Sequence, residues 1–184
     1  HCQQDNENIK QNKIIDMETI FFKGTAVKTC GNVPVASEKA PAFRLVGKDL
    51  NEITGQSFAG KRIVLNVFPS LDPPVCSASV RRFNSEAAKL DNTVVVCASM
   101  DLPFAMSRFC TAEGIDGVVT ASAFRSPEFG KDYGLTMIDG PLAGLLARAV
   151  LVIDEKGNVI YSDLVEEITN EPDYKGAIYA LKHD

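Results

Sequence analysis

Histidine is nearly absent from this 184-residue chain: His1 and His183 both lie within a few residues of an end. A Ser-His-Asp or Cys-His arrangement needs an imidazole held in a shaped site, and chain ends seldom hold one. Cys2, Cys30, Cys76, Cys97 and Cys110 form no Cys-x-x-Cys pair and have no histidine near them, apart from His1 beside Cys2, so zinc has no ligand set. Five cysteines is an odd number for a stapled secreted framework, and the chain is long enough to fold without staples. A disulfide here is expected to belong to a reaction rather than to the scaffold. GxGxxG and Walker patterns are missing, which leaves nucleotide and flavin without a cradle. The formal charge of −5 with no basic stripe speaks against nucleic acid. The longest strongly apolar run, Leu142 to Ile153, is broken by Arg148 and is too short to cross a bilayer. Cysteine, carboxylate, arginine and backbone groups remain as the available chemistry.

What is present reads as one domain behind a polar lead-in. Residues 1–17, "HCQQDNENIKQNKIIDM", are rich in Asn, Gln and charge and read as a flexible tether, with the fold over residues 18–184. "TIFFKGTAVKTCGNVPV" reads as a β-hairpin with Lys23-Gly24 and Gly31-Asn32 as turn signals. "AFRLVGKDLNEITGQSFAGK" alternates short strands with loops. "RIVLNVFP" is a continuous apolar run ending at Pro69, the pattern of a central strand buried on both faces. Val80, Phe83, Ala87 and Leu90 then recur at helical spacing. "NTVVVCAS" is a second buried strand, Pro103 opens a helix ending near Gly114, and "GVVTASAF" is a third strand. "SPEFGKDYG" suits a short helix closed by Gly134, "RAVLVIDEKGNVIYSDLV" a hairpin turned at residues 154–157, and "EPDYKGAIYALK" a final helix. Strands alternating with helices, then a hairpin and a helix, give an α/β domain: a central mixed β-sheet flanked by helices, in the element order of a thioredoxin-like fold.

In "FPSLDPPVCSASVRRFN" two prolines deliver Cys76 to the first turn of a helix. Unsatisfied N–H groups and the helix dipole favour the thiolate at such a position, and proline suits a helix start because it lacks an N–H and fixes φ. The alternative is that Cys76 is a small buried hydrophobe. Arg148 lies inside an apolar strand, on the side of Leu146, Val150 and Val152 if the strand alternates. A buried guanidinium needs an anion, either a carboxylate or a thiolate at the carboxyl end of a neighbouring strand. Cys110 ends a short helix 34 positions after Cys76 and could condense with it once oxidised. Cys97 reads as core packing and Cys30 as structural.

"NVFPSLDPPVCSASVRRFN", "DLPFAMSRFCTAEGI", "LLARAVLVIDEKGNVIYSDLVEEITNEPDY" and "FFKGTAVKTCGNVP" together resemble the thiol peroxidase subfamily of bacterial peroxiredoxins, of the atypical two-cysteine kind. The likeness runs from about Glu18 to Lys182. It implies a thiol-dependent peroxidase acting on alkyl hydroperoxides and hydrogen peroxide, with no cofactor. Cys76 would be the peroxidatic cysteine and Cys110 the resolving cysteine, forming an internal disulfide that thioredoxin reduces. Arg148 would be the active-site arginine and Pro69 the proline shielding the cysteine, with the N–H groups of Val75 and Cys76 helping to hold the peroxide. A homodimer is implied as well.

One position departs from the family motif Pro-x-x-x-Thr-x-x-Cys: Pro73 stands where the motif has Thr. The missing hydroxyl opens an alternative, a redox sensor or interaction protein with weak turnover, unless Ser70 or Ser77 compensates. Cys2 before its polar tether resembles the lipid-modified cysteine of bacterial lipoproteins. That would place the protein in the cell envelope or periplasm, whereas an unmodified Cys2 leaves it cytoplasmic.

Overall fold

The computed structural model describes residues 17–183 except Ala88 and the side chain of Ala87. Cys2 and the rest of the expected tether up to Asp16 lie outside the described residues. The chain opens with the expected hairpin, β1 (Thr19–Phe22) and β2 (Thr25–Lys28), paired antiparallel. Its two-residue turn has Lys23 at φ 51° and Gly24 at φ 81°. Two successive left-handed residues match the right-handed twist of the strands, and glycine makes the second cheap.

Seven further strands form one mixed sheet. They are β3 (Arg44–Gly47), β4 (Glu52–Thr54), β5 (Arg62–Val67), β6 (Thr93–Ser99), β7 (Val119–Ser122), β8 (Ala149–Ile153) and β9 (Val159–Leu164). Their order is β4-β3-β7-β6-β5-β8-β9, with β5, β6 and β7 mutually parallel and the other pairings antiparallel. The helices are α1 (Pro74–Ala87), α2 (Pro103–Glu113), α3 (Pro127–Asp132) and α4 (Tyr174–Lys182).

Alternation along the central strands sorts the core into two layers. Ile63, Leu65 and Val67 of β5 join Leu151, Phe129 and the hairpin residues Ile20 and Val27 on one face. Val64 of β5, then Phe68, join Val80 and Phe83 of α1, Met106 of α2, Val150 and Val152 of β8 and Leu181 of α4 on the other. Each such buried side chain contributes about 1.5–3 kcal/mol. The two-sided burial of β5 explains why its sequence shows no polar alternation. Leu90, read as part of the α1 stripe, lies past the end of the helix, half-buried against the second layer.

This topology brings several chain segments to one edge. The parallel strands β5 and β6 end there at Val67 and Ser99, and antiparallel β8 begins there, with Val67 paired to Ala149. The α1 start follows the first, and Arg148 precedes the last. An open α/β sheet places its sites along such an edge.

Candidate active site

Pro74 is the first residue of α1, and the Pro73 carbonyl accepts the first helical hydrogen bond, from the Ser77 N–H at 3.1 Å. Cys76 is therefore the third helical residue. The first N–H groups of a helix have no intrahelical acceptor, so Val75 and Cys76 carry donors suited to an anion. The Cys76 side chain is 1% exposed, sunk into the layer containing Phe68, Leu71, Val80 and Val150. Pro69, also buried, lies just beyond Phe68.

Arg148, 2% exposed, meets it there. Its Nη2 donates to Cys76 Sγ at 3.0 Å, and its Nε donates to the Ile168 carbonyl at 2.9 Å. Nη1 is buried and has no partner. Of the two partners open to this guanidinium, the structure provides the thiol. Among the described residues no salt bridge involves Arg148. Arg148 shares its layer with Val150 and Val152 but not with Leu146, which belongs to the opposite layer. The expected alternation fails there because Leu146 is bridged to Thr136 and the Ala147 N–H bonds to the Leu135 carbonyl, ahead of the start of β8. Ile168 is itself seated against the hairpin, since its N–H bonds to the Phe21 carbonyl at 2.9 Å.

The segment approaching α1 is held by Asp101, a residue that sequence reasoning passed over. Its carboxylate accepts from Ser70 Oγ at 3.0 Å, from the Leu71 N–H at 2.9 Å and from Ser99 Oγ at 2.5 Å. The Ser70 hydroxyl hydrogen is thus engaged, and that of Ser77 goes to the Pro74 carbonyl at 3.0 Å. Neither hydroxyl hydrogen is free to replace the one missing at Pro73, which is exposed. Asn66 and Ser79, two fully buried polar residues behind Cys76, also went unread. A lone amide in the apolar run "RIVLNVFP" was the available signal for the first.

Cys110 lies on α2, half-buried against the same layer as Cys76. Burial pushes its thiol up from 9.0, opposed by the positive charge of Lys48. No disulfide links Cys30, Cys76, Cys97 and Cys110. Cys97 is fully buried in β6, and desolvation pushes its thiol up to about 12, so it stays protonated and unreactive, as core packing requires. Cys30 donates to the Gly130 carbonyl at 3.4 Å.

Comparison with known proteins gives a consistent family. The Redoxin family model matches residues 35–178. The proteins named thiol peroxidase from Mycobacterium bovis and Mycobacterium tuberculosis are each 53% identical over 165 residues, covering 90% of this chain and 99% of theirs. Among solved structures, a peroxiredoxin-like protein from Aquifex aeolicus superposes with a TM-score of 0.85 at 40% identity, covering 90% of this chain and 97% of its own. A thiol peroxidase from Chromobacterium violaceum, TM-score 0.83, covers 89% and 95%. At 19% identity it speaks for the fold alone.

Proposed function

Because the chain belongs to the thiol peroxidases of the redoxin family and is a thiol-dependent peroxidase, we propose that Cys76 is the thiol that meets the peroxide and that Cys110 resolves the product. The observation that carries this reading is the 3.0 Å contact between Arg148 Nη2 and Cys76 Sγ at a helix start. The guanidinium and the N-terminal turn both bring hydrogen-bond donors to the sulfur, where the reaction needs them.

The Cys76 thiolate attacks one peroxide oxygen with an electron pair, and the O–O bond breaks. Sulfur is oxidised by two electrons to sulfenic acid, and the departing oxygen leaves as alcohol or water after taking up a proton. Negative charge passes from sulfur to the departing oxygen. Arg148 Nη1, a buried donor with no protein partner, and the N–H groups of Val75 and Cys76 are the groups suited to meet it. Pro69, buried next to Phe68, is in this reading the proline that shields the thiol. The Cys110 sulfur then attacks the Cys76 sulfenic sulfur, and an S–S bond forms with release of water. A thioredoxin-type dithiol returns two electrons and two protons. Alkyl hydroperoxides and hydrogen peroxide are the substrates.

A disulfide requires Cα atoms within about 7 Å. Cys76 and Cys110 sit on separate helices, so local unwinding around one or both is expected to accompany resolution. Homodimerisation belongs to the same proposal, with the exposed Leu102, Phe104 and Phe124 near the site edge as its apolar contribution. Lipid attachment at Cys2 likewise remains a proposal. A weakly turning-over sensor is not favoured, given relatives named as thiol peroxidases at 53% identity.

A thioredoxin-coupled assay with cumene hydroperoxide tests the proposal. Turnover should vanish in Cys76→Ser. Undiminished turnover in that variant would overturn it.

A further inference from the structure

Behind Cys76 lies a polar chain that the reaction just described does not use. Asn66 sits in β5 between Cys97 of β6 and Val150 of β8, wholly buried in a strand otherwise apolar after Arg62. Its Nδ2 lies 3.3 Å from Ser79 Oγ and 3.6 Å from Cys97 Sγ. Ser79, also wholly buried, donates its one hydroxyl hydrogen to the Cys76 carbonyl at 2.8 Å. Having given that hydrogen away, Ser79 can only accept from Asn66, which fixes the amide with Nδ2 towards the helix. Asn66 Oδ1 is left buried without a partner.

Leaving such an acceptor unsatisfied costs about 1–3 kcal/mol, and an apolar side chain would avoid the cost. What the amide supplies is direction. Val80 and Phe83 of α1 pack into the apolar layer that Val64 and Val150 of the sheet share, and apolar contact tolerates small slides and rotations of a helix. A hydrogen bond at 3.3 Å does not. The opposing group has its own independent seat: Arg148 is held by the Ile168 carbonyl, and Ile168 is tied to the hairpin rather than to β5. The 3.0 Å contact between Arg148 and Cys76 therefore depends on two anchors, one for each partner.

We propose that Asn66, acting through Ser79, is a positioning residue that sets where α1 carries Cys76 relative to Arg148. This rests on the reading of Cys76 as the reacting thiol. With the tie cut, the helix keeps its apolar packing but its first turn is no longer registered on β5. The Cys76 sulfur then spends less time in contact with the guanidinium, and the charged donor is less often in place when the peroxide arrives.

The test is a double-mutant cycle of Asn66→Leu and Ser79→Ala, with Cys76 oxidation by hydrogen peroxide followed by stopped flow across pH and urea unfolding in parallel. Each single variant should oxidise about tenfold more slowly, equivalent to about 1.4 kcal/mol. Each pH–rate profile should also shift from that of wild type. The double variant should be no slower than the slower single one, because both substitutions cut the same tie. A loss of stability alone leaves the profile of the folded protein where it was. Ser79→Ala removes a single hydroxyl, which keeps a folded variant available should Asn66→Leu not fold. Profiles unmoved and rates near wild type, or losses that simply multiply, would overturn the positioning role while wild-type oxidation at Cys76 leaves the functional reading standing. Absence of Cys76 oxidation in the wild type would overturn both.

Discussion

Arg148 Nη2 stands 3.0 Å from Cys76 Sγ although 72 positions separate the two residues, and both side chains are closed off from solvent. Each would be costly alone: a guanidinium without an anion, and a thiolate without a cation. Together the guanidinium gains an acceptor and the sulfur a charged donor. Arg148→Met keeps the bulk of the side chain and removes the charge. Peroxide oxidation of Cys76 should fall by roughly 10²–10³, the usual loss for one well-placed transition-state donor. Stopped-flow oxidation measures it, and a rate equal to wild type would reduce Arg148 to a packing element.

The second thiol makes a separate claim on the chain. Brief treatment with one equivalent of peroxide should link Cys76 to Cys110, and non-reducing peptide mapping reads the pairing directly. In Cys110→Ser the product should stop at sulfenic acid, trappable with a dimedone-type reagent. Pairing of Cys76 with Cys97 instead would sink the resolving role, and the deep burial of Cys97 together with its high thiol pKa argues against that outcome.

Much of this site was legible in the chain because its signals are local. The prolines before Cys76 mark a helix start whatever surrounds them, and the two-sided apolar run of β5 identifies a central strand. Arg148 is conspicuous because charge inside such a run is expensive. The supporting groups are another matter. Asp101 acts on Ser70 and Leu71 across a strand and a helix, and the Ile168 carbonyl reaches Arg148 from a loop. A backbone carbonyl has no sequence signature, and an aspartate after a strand looks like any turn residue. Leu146 departs from the face that alternation predicts for the same kind of reason: its bridge to Thr136 interrupts a periodicity that looks continuous in sequence.

Glu167, beside the Ile168 that seats Arg148, gives a pH-dependent consequence for stability. The Thr169 and Gly24 N–H groups hold its carboxylate, with the Thr169 hydroxyl, and lower it from 4.5 to about 2. Because the folded value lies below the unfolded one, the stabilisation is present above about 4.5 and is lost as pH falls towards about 2. Glu167→Gln should lower the urea midpoint at neutral pH, and the gap to wild type should close across that acidic window. A gap that stays constant down to the lower limit would show that the charge on Glu167 does not tie the hairpin turn to the loop after β9.

Pro73 bears on both the chemistry and the helix. Its carbonyl accepts the first hydrogen bond of α1, so it occupies the capping position, yet it has no side-chain acceptor for the N–H groups that follow. In Pro73→Thr a hydroxyl at that position can cap the helix, a gain of about 1 kcal/mol, while the looser chain loses about 0.4–1 kcal/mol. The two nearly cancel, so stability should move little. The rate of Cys76 oxidation should rise, because the hydroxyl adds a donor and acceptor three residues before the thiol, where the hydroxyl hydrogens of Ser70 and Ser77 are already engaged. Pro73→Val is the control: it relaxes the chain in the same way and brings no hydroxyl. Stopped-flow oxidation of Thr against Val, with each rate compared at matched folded fraction, isolates the hydroxyl. A Thr variant no faster than the Val variant would mean that the prolines, by holding the first turn of α1 rigid, already supply what the hydroxyl would have added.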